Sequence, residues 1–529
     1  MILKTQKIRL SDYSETDDRA RFAAALAFMR AHPGTTLYVE PGVYTITTER
    51  ARQAQQSVMN GDFGDNPEKI MFHPKYVYDR GLDFAGHSGS RVEAYGVTLM
   101  IDGFMEPISV RDCRNVEICG LTVDHVRKPY TKGIITAYNQ VGEAGYITVA
   151  LASPITPHTP CPRHVVYNPL TGHFDVPARL GKMCLSDSYH VVFACGAEMK
   201  NSVGSELYLW HTFHSRTAIL IENAENTILR DLTVHSSPGM GITAQQAKDI
   251  LIQRLSVVPS CGEHMSTNTD ATHFASCRGR LRLDGCVFDG QGDDSVNVHT
   301  YYYTIDEWND TKVTLSVKAP TGTHAQALDY PLVGDTLELT EKSTLNPVGK
   351  YRVVSVTPDF GKYCCYAELD RPLPEDAQGY FLADVDEVPE FEFVNCHARN
   401  HFARSILIKC RRALVENCVV SDVFDSAVKI AAEADWHEGI SSADVTIRRC
   451  RFLNCARSTK YCGGIQVFMD CADHRALSHG LVRIEDNIID CPQADHGIIV
   501  ENTRQALVAR NRVNSRCKGT VIGEGVALV

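Results

Sequence analysis

The stretch RLRLDGCVF, residues 280–288, contains the pattern that decides the fold of this 529-residue chain. Its apolar side chains alternate with polar ones, as in a strand with one buried face. The same nonapeptide, mostly apolar at its second, fourth and ninth positions and Leu, Cys or Asn at its seventh, recurs along the chain. The eight copies are NVEICGLTV (115–123), NTILRDLTV (226–234), DILIQRLSV (249–257), RLRLDGCVF (280–288), RALVENCVV (412–420), DVTIRRCRF (444–452), LVRIEDNII (481–489) and QALVARNRV (505–513).

The repeats predict an all-β fold, a right-handed parallel β-helix in which each copy forms part of one coil. The steps between copies vary, because the copies that begin at 226 and 249 are closer together than those that begin at 412 and 444. Such variation is expected when loops of different length leave one corner. Coils in register would stack the seventh positions into an aliphatic, then thiol, then amide ladder. These positions are Leu121, Leu232, Leu255, Cys286, Cys418, Cys450, Asn487 and Asn511.

Two stretches, 127–209 and 302–388, break the repeat and contain longer alternating runs separated by turn residues. Each is interpreted as a small antiparallel β-barrel inserted at a loop. An amphipathic helix over about residues 17–30, followed by a hairpin over 35–46, is predicted to cap the first coil. The expected layout is therefore cap and first coils in 1–126, barrel in 127–209, β-helix with the candidate carboxylates in 210–301, barrel in 302–388 and C-terminal coils in 389–529.

Composition excludes some classes of partner. With 53 basic and 64 acidic residues the net charge is −11, and no basic run indicates a nucleic acid or an anionic membrane. No stretch approaches the roughly 18 apolar residues of a membrane span, and the N-terminus lacks a secretory pattern, so we expect a cytoplasmic protein unless a signal was removed. Nineteen cysteines without a CxxC motif are expected to be free, buried thiols. Homo-oligomerisation stays open.

Three carboxylates fall close together in the repeat register. Asp270 lies in NTDATHF, and Asp293 and Asp294 follow the glycines of GQGDD, about one coil later. Close carboxylates push their pKa values apart, so that one can keep a proton while another is ionised. Glycoside hydrolysis needs this division between an acid and a base or nucleophile. A solvated turn or a calcium site is the alternative use of such acids, and the neighbouring His and Asn residues favour hydrolysis without a metal or cofactor.

Strand alternation assigns the neighbours of these acids to two faces. Asp293, Ser295, Asn297 and His299 are predicted to point outward, with Val296 and Val298 inward. Asp294 would then point inward, unless a bend at residues 290–292, which include two glycines, lets both aspartates reach the outer face. The step that stacks Asp293 on Asp270 also places His273 beside Val296, so this histidine is interpreted as a packing residue.

Other polar and aromatic residues are candidate sugar contacts. Asn297 and His299 lie on the predicted face of the acids, and Arg404 follows the second insert and could return to it. Trp436 is a candidate platform for a pyranose ring, with Glu438 assigned beside it. Alternatively, Arg404 forms a surface salt bridge, and Trp436 only fills the interior of a loop.

Four motifs in combination resemble glycoside hydrolase family 110, the α-1,3-galactosidases of blood-group-B type: SSPGMGITAQ (236–245), TDATHF (269–274), GQGDDSVNVH (290–299) and DWHEGISSADVTI (435–447). The resemblance implies an exo-acting enzyme that releases terminal α-1,3-linked galactose from an oligosaccharide or glycoconjugate, with inversion and without a metal. It places the catalytic carboxylates at Asp270, Asp293 and Asp294. We hypothesise that Asp293 is the general acid and that the other two orient and deprotonate the water.

Three further interpretations remain at this point. The NTD and DD elements also resemble polygalacturonases, in which case Arg404 and Lys409 would bind a uronate. A polysaccharide lyase and a non-catalytic carbohydrate-binding β-helix are the others. The predicted inversion at the anomeric carbon rests on the resemblance alone. Carboxylates one coil apart would be about 5 Å apart at the backbone, which is less than the roughly 6.5–9.5 Å between the carboxyl groups of inverting enzymes.

Overall fold

The computed structural model describes residues 6–71, 76–174, 180–317, 328–457 and 461–529. Its main body is a parallel β-helix, which confirms the predicted fold class. Most coils contribute two consecutive short strands to one long parallel sheet, called sheet 1, and one strand to a second parallel sheet, called sheet 2. In two early coils the sheet 1 segments join into the single strands Arg91–Asp102 and Arg114–His125. One continuous core of buried aliphatic, aromatic and thiol side chains fills the space between the sheets.

Sheet 1 contains the nonapeptides, and each copy has two extended segments separated by a corner, which in the copy at 115–123 belong to the single strand Arg114–His125. The strands that include these copies, with the corresponding strands of the other coils, are Lys7–Arg9, Thr36–Tyr38, Gly42–Thr47, Arg91–Asp102, Arg114–His125, Glu225–Arg230, Thr233–Val234, Lys248–Gln253, Ser256–Val257, Arg278–Asp284, Val287–Asp289, Glu390–Val394, His397–His401, Arg412–Glu416, Val419–Val423, Asp444–Arg448, Arg451–Leu453, His479–Glu485, Ile488–Cys491, Thr503–Ala509, Arg512–Ser515 and Ala527–Leu528.

The corner falls at the sixth position of every copy, where the backbone is left-handed. Such a conformation turns the chain between two strands without a longer loop, and it favours Gly, Asn and Asp. The eight sixth-position residues, with φ between 52° and 78°, are Gly120, Asp231, Arg254, Gly285, Asn417, Arg449, Asp486 and Arg510.

The predicted ladder follows this corner, and it joins the coils by hydrogen bonds. The N–H of Cys418 donates to Cys450 Sγ at 3.4 Å, and the N–H of Cys450 donates to Asn487 Oδ1 at 2.9 Å. The N–H of Asn487 donates in turn to Asn511 Oδ1 at 3.0 Å. Cys396, in a coil that is not one of the eight copies, accepts from the N–H of Cys286 at 3.4 Å. Each of these ladder side chains thus satisfies a corner amide of the preceding coil.

Sheet 2 supplies the outer face on which the candidate site lies. Its strands alternate between core-facing residues such as Val296 and Val298 and outward residues such as Asn297, as predicted. The strands are Arg80–Asp83, Glu106–Arg111, Ile219–Glu222, Ile242–Gln245, Thr272–Ala275, Val296–Asn309, Ile406–Ile408, Val428–Ile430, Gly463–Val467, His496–Val500 and Lys518–Ile522.

Helices cover the N-terminal end of the β-helix. The first, Asp18–Ala31, begins where Asp17 accepts a hydrogen bond from the N–H of Ala20, and it buries apolar residues against the first coil. Glu49–Asn60 and Glu68–Met71 follow, and short 3₁₀ turns occur at Leu10–Asp12, Ala197–Asn201 and Ala377–Gly379. The predicted hairpin over 35–46 is wrong, because Thr36–Tyr38 and Gly42–Thr47 pair in parallel with the next coil and not with each other.

Two antiparallel units interrupt the coils. The first is a seven-stranded antiparallel sheet, and within the described residues its two end strands do not pair with each other. The strands lie in the spatial order His173–Phe174, Arg163–Asn168, Glu206–Trp210, Tyr130–Val141, Ala144–Leu151, His190–Cys195 and Met183–Asp187. The second closes into a six-stranded barrel through Val296–Asn309, Lys312–Ser316, Cys364–Leu369, Pro347–Asp359, Thr336–Glu341 and Tyr380–Asp384, whose last strand pairs back with the first. The long strand Val296–Asn309 therefore belongs both to sheet 2 and to the barrel.

The cysteines agree with the expectation of free thiols. All nineteen are unpaired, and fourteen are buried, whereas Cys184, Cys261 and Cys517 are exposed. Within the described residues, no helix is long and apolar enough to cross a membrane.

Candidate active site

The three aspartates meet at the turn that enters sheet 2. The strands pair Thr272 with Val296, and the N–H of Ala271 donates to the carbonyl of Asp294. Asp270 therefore lies opposite Asp294, not opposite Asp293 as the step between the motifs predicted. The extra residue of this coil lies in the turn at 290–295, where the chain bends before the strand begins.

The structure brings all three carboxyl groups together. One oxygen from each of Asp270, Asp293 and Asp294 lies within 4.8 Å of the others. Asp270 is 5% exposed and Asp294 is 1% exposed, whereas Asp293 is only half-buried. Asp293 is therefore the carboxyl group that a substrate reaches most directly.

The glycines before the pair allow this arrangement. Gly290 has a φ of 69°, and a Cβ atom there would lie 2.2 Å from the carbonyl oxygen of His264. A Cβ atom on Gly292 would lie 2.2 Å from the carbonyl oxygen of Asn268. Both positions need glycine because the backbone of the preceding coil is too close for a side chain.

Arg404 fixes the carboxylate of Asp294. Its backbone N–H donates to Asp294 Oδ1 at 3.1 Å, and its Nη2 donates to Oδ2 at 2.8 Å. Both oxygens of Asp294 therefore accept a hydrogen bond from the same residue. The structure brings Arg404 to the aspartates, as predicted, and its role toward a sugar remains a prediction.

Asp270 is held between a backbone amide and a histidine. Its Oδ1 accepts from the N–H of Asp294 at 3.2 Å, and its Oδ2 lies 2.7 Å from His273 Nδ1. His273 Nε2 lies 2.8 Å from His299 Nε2, and His299 Nδ1 lies 3.1 Å from the carbonyl oxygen of Thr300. The interpretation of His273 as a core packing residue is therefore wrong, because the observed register places it beside Asn297 on the outer face.

This chain of contacts determines where protons lie. A carbonyl only accepts, so His299 Nδ1 carries the proton toward Thr300, and its Nε2 accepts from His273 Nε2–H. Burial lowers the pKa of His299 to about 3 and that of His273 to about 4, so both rings are neutral. His273 Nδ1 is then an acceptor, and its partner Asp270 Oδ2 must carry a proton.

The electrostatics of the aspartates agree with this proton count. Burial, and then the charge of Asp294, raise the pKa of Asp270 well above its ordinary value. Burial, and then Asp270, raise the pKa of Asp293 to about 6. Burial raises the pKa of Asp294 to about 7, although Arg404 lowers it. The cluster therefore combines protonated and ionised carboxyl groups near neutral pH.

A second buried network lies beside the aspartates. Lys409, completely buried, binds Glu433 Oε2 at 2.7 Å and also contacts Glu438 Oε2. Asn297 Nδ2 donates to Glu438 Oε2 at 3.3 Å, and His299 Nε2 lies 3.7 Å from Glu438 Oε1. The predicted contacts Asn297, His299 and Glu438 are thus brought together, but protein groups already bind them.

Trp436 lies in the loop between Glu433 and Glu438, two members of this network. The loop turns between Glu433 and Glu438, which pair with each other, and Glu438 also pairs with Tyr301. Trp436 is 37% exposed, so part of its side chain reaches solvent. Its role as a sugar platform remains a prediction.

Several charged or polar neighbours of the aspartates could not be recognised from the repeat pattern. Lys409 and Glu433 come from separate coils, and Arg163 of the first insert and His214 just after it both act electrostatically on Asp293. Glu68 pairs with His214 at 3.4 Å. All of them are distant in sequence from the aspartates, so only the fold could show that they belong together.

Two groups near the site have the residue types of a metal site. One is the three aspartates, and the other is His273, His299 and Glu438, whose ligand atoms also lie within 4.8 Å of one another. In both groups a protein cation is already bound to a carboxylate, Arg404 in the first and Lys409 in the second. The expected absence of a metal stays a prediction.

No protein-family model matches the chain. It is 25% identical over 472 residues to α-1,3-galactosidase A of Bacteroides fragilis, covering 83% of this chain and 76% of that protein. It is 23% identical over 491 residues to α-1,3-galactosidase B of Parabacteroides distasonis, covering 84% of this chain and 76% of that protein. Among solved structures, the mannuronan C-5 epimerase AlgE6 A-module of Azotobacter vinelandii aligns over 98% of this chain and 99% of that chain, at 10% identity and a TM-score of 0.39. An exopolygalacturonase from Thermotoga maritima aligns over 99% of this chain and 92% of that chain, at 9% identity and a TM-score of 0.38. The sequence matches, which span more than four-fifths of the chain, confirm the resemblance to the α-1,3-galactosidases that its motifs indicate.

Proposed function

We propose that this chain is an exo-acting glycoside hydrolase that releases terminal α-1,3-linked galactose by single displacement with inversion. The similarity to α-1,3-galactosidases over most of the chain supports a galactosidase-type hydrolase. The observation that carries the chemistry is the cluster of three aspartates, in which one carboxyl group is half-exposed and another is bound by a guanidinium.

The proposed roles follow from the partners of each carboxyl group. Asp293 is the general acid, because its carboxyl group is accessible, has a raised pKa and has no hydrogen bond to a residue in the described part of the chain. Asp294 is assigned as the general base because Arg404 binds both of its oxygens and favours its ionised form. Burial still raises the pKa of Asp294 to about 7, above the pKa of about 6 of Asp293, so the reactive form, with the proton on Asp293, is the less populated arrangement of the singly protonated pair. Asp270 orients Asp294 through the hydrogen bond that its Oδ1 accepts and keeps a proton through His273.

The reaction balances with one water molecule. Asp294 takes a proton from the water as its oxygen attacks the anomeric carbon, and Asp293 gives its proton to the glycosidic oxygen as that bond breaks. The products are free galactose and the shortened saccharide. After the reaction Asp294 is protonated and Asp293 is ionised. Proton exchange with solvent then returns the proton to Asp293.

Burial favours single over double displacement. A double displacement needs a second carboxylate that reaches the anomeric carbon itself. Asp270 and Asp294 are nearly completely buried, and each oxygen of both carboxyl groups contacts a protein partner. A water molecule bound to Asp294 could reach the anomeric carbon where the carboxylate itself does not. This supports inversion, although the carboxyl groups are closer together than in most inverting enzymes.

The partners of Lys409 argue against the polygalacturonase alternative. A uronate would need a free cation beside the aspartates. Lys409 is completely buried and bound by Glu433 and Glu438, and Arg404 is bound by Asp294. Both cations are therefore already neutralised within the protein.

Product analysis tests the proposal. Wild-type enzyme is incubated with a set of α- and β-galactosides that differ in linkage, and released galactose is measured. Proton NMR of the first-formed sugar then gives the anomer. We expect galactose from α-1,3-linked substrates with β-galactose appearing first; initial α-galactose would refute inversion, and no galactose from any substrate would refute the function.

A further inference from the structure

A cavity of about 600 Å³ lies on the C-terminal side of the aspartates. Residues from five successive coils line it, beginning with Arg404 and continuing through Lys429, Gln466 and Glu501 to Glu524. Coils stack roughly 4.8 Å apart, so the cavity extends about 19 Å along the β-helix. Its volume is within the range of roughly 300–1,000 Å³ in which proteins bind small molecules.

Arg404 connects the cavity to the proposed chemistry. The guanidinium that binds Asp294 Oδ2 at 2.8 Å also lines the cavity. The outward residues of sheet 2 continue in register from Asn297 through Leu407 and Lys429 to Gln466. A ligand in the cavity is therefore one side chain away from the carboxyl groups, along the same face of the same sheet.

Two side-chain nitrogen atoms in the cavity wall have no hydrogen bond to any residue that the structure describes. Gln466 is 6% exposed, and its Oε1 accepts from Ser426 Oγ at 3.4 Å, whereas its amide nitrogen has no such partner. Arg404 Nε also lacks a partner, but it is fully buried, so only the Gln466 amide nitrogen is open to the cavity. The Gln466 amide can therefore donate a hydrogen bond to a hydroxyl group of a ligand in the cavity.

The remaining lining favours a neutral sugar. Tyr461, half-exposed, and Phe468 give the cavity aromatic surface, and Tyr461 Oη donates to Glu501 Oε1 at 3.2 Å. Aromatic faces beside hydrogen-bonding groups suit the apolar and hydroxyl surfaces of a pyranose. In the described part of the lining, three cations balance three carboxylates: Arg404, Lys429 and Arg475 against Asp425, Glu501 and Glu524. This balance disfavours uronates and sulfated sugars.

We propose that this cavity binds the neutral sugar residues that follow the terminal galactose, so that the enzyme selects oligosaccharides over simple galactosides. The inference rests on the proposed function and specifies its substrate class. It also assigns a direction: galactose lies at the aspartates, and the rest of the saccharide extends toward the C-terminal coils.

The test compares kcat/KM for three substrates, a nitrophenyl α-galactoside, an α-1,3-galactosyl disaccharide and a neutral trisaccharide that extends it. We expect kcat/KM to rise with each sugar residue. In Gln466→Leu the ratio of kcat/KM for the trisaccharide to that for the nitrophenyl galactoside should fall roughly 2- to 10-fold, the effect of about one hydrogen bond. Tyr461→Ala, at a half-exposed position, provides a second variant that should fold.

Gln505→Leu is the matched control, because Gln505 is exposed on sheet 1 and should leave the ratio unchanged. Equal kcat/KM for all three substrates would overturn the inference while leaving the proposed function intact. Equal losses on the trisaccharide and the nitrophenyl galactoside in both variants would show that the cavity binds galactose itself, which also overturns it. Failure of the wild type to release galactose from any substrate would instead refute the function.

Discussion

His273 and His299 share a hydrogen bond between their Nε2 atoms, 2.8 Å apart, on the outer face of sheet 2. Because His299 Nδ1 donates to a backbone carbonyl, the direction of this bond is fixed, and it leaves His273 Nδ1 as an acceptor for Asp270. Two neutral imidazoles thus keep a proton on a carboxyl group of the proposed catalytic cluster. The relationship connects the register of the β-helix to the protonation of its active site.

Asp270→Asn should fold normally and keep much of its activity. The amide imitates the protonated carboxyl group, since its Nδ2 can donate to His273 while its Oδ1 accepts from the N–H of Asp294. The orienting role proposed for Asp270 is thus retained, so we expect kcat to stay within about 10-fold of wild type, less than the roughly 100- to 10,000-fold loss when a general acid or base is removed. Asp270→Ala, the control, breaks both hydrogen bonds and should have a lower Tm than Asp270→Asn.

The asparagine variant also has a pH signature. The pKa of Asp270 is raised in the folded state, so the folded protein binds more protons than the unfolded chain above about pH 4, and this residue reduces stability as pH rises. Asparagine does not titrate. The Tm of Asp270→Asn relative to wild type should therefore increase from pH 5 to pH 8 in thermal unfolding, and a constant difference would contradict the protonated assignment.

The fold was readable from the sequence because its signal is local and repeated. Each nonapeptide contains two extended segments with a left-handed corner between them, so eight copies report the same geometry independently. The missed coil at 390–398 has Cys396 at the ladder position but ends in a small residue, Ala398, where the other copies have Val, Phe or Ile. Non-local pairings were harder, and the N-terminal strands that looked like a hairpin pair with the next coil instead.

Asn487→Ala tests the ladder. Asn487 Oδ1 accepts from the N–H of Cys450, and its Nδ2 donates to the carbonyl of Ile447 at 3.0 Å and to Asn511 Oδ1 at 2.9 Å. Alanine leaves buried backbone groups unpaired, and we expect a loss of about 2–5 kcal/mol in the free energy of unfolding, measured with urea. Asn514→Ala, at an exposed asparagine, should change it by less than about 0.5 kcal/mol.

Asn487→Cys refines that measurement. A thiol occupies the equivalent position in Cys396 and Cys450 and accepts a backbone N–H there. We therefore expect Asn487→Cys to lose less stability than Asn487→Ala. Equal losses would mean that volume, not hydrogen bonding, determines the contribution of the ladder.

The site was only partly readable, and a register error of a single position explains the main mistake. The aspartates stand out because they follow glycines in a strand pattern. The predicted register puts His273 beside Val296 on the inner face, whereas the observed one puts it beside Asn297 on the outer face, because strand side chains alternate. Lys409, Glu433 and Arg163 reach the site through the fold from distant parts of the chain, and no local pattern marks them.

Gly292→Ala should separate activity from the overall fold. A Cβ atom at this position would lie 2.2 Å from the carbonyl oxygen of Asn268 and 3.0 Å from the Trp210 ring, so the turn before Asp293 must move. We expect kcat/KM to fall more than about 10-fold, since small displacements of catalytic groups are costly. Gly519→Ala is the control, because its Cβ would meet only the side chain of Val513 at 3.6 Å; equal activity of both variants would contradict the role of the turn.

The pH dependence of kcat/KM tests the assignment of acid and base. The reaction uses the pair Asp293 and Asp294 while it holds one proton, so the profile should be bell-shaped with a maximum between about pH 6 and pH 7, near the pKa values of the two groups. In Arg404→Gln the positive charge that lowers the pKa of Asp294 is absent, so that pKa rises and the pair keeps its last proton to higher pH. The alkaline limb of the profile should therefore move to higher pH, and the maximum should fall because the proton then resides more on the base.

Arg399→Gln is the control for this pH profile, because it removes an exposed partner of Asp289 and should leave both limbs in place. The two variants remove the same positive charge, so a shift that occurs only in Arg404→Gln reports the contact with Asp294 and not the net charge of the protein. An alkaline limb that stays fixed in Arg404→Gln would show that Asp294 is not a member of the pair that shares the catalytic proton.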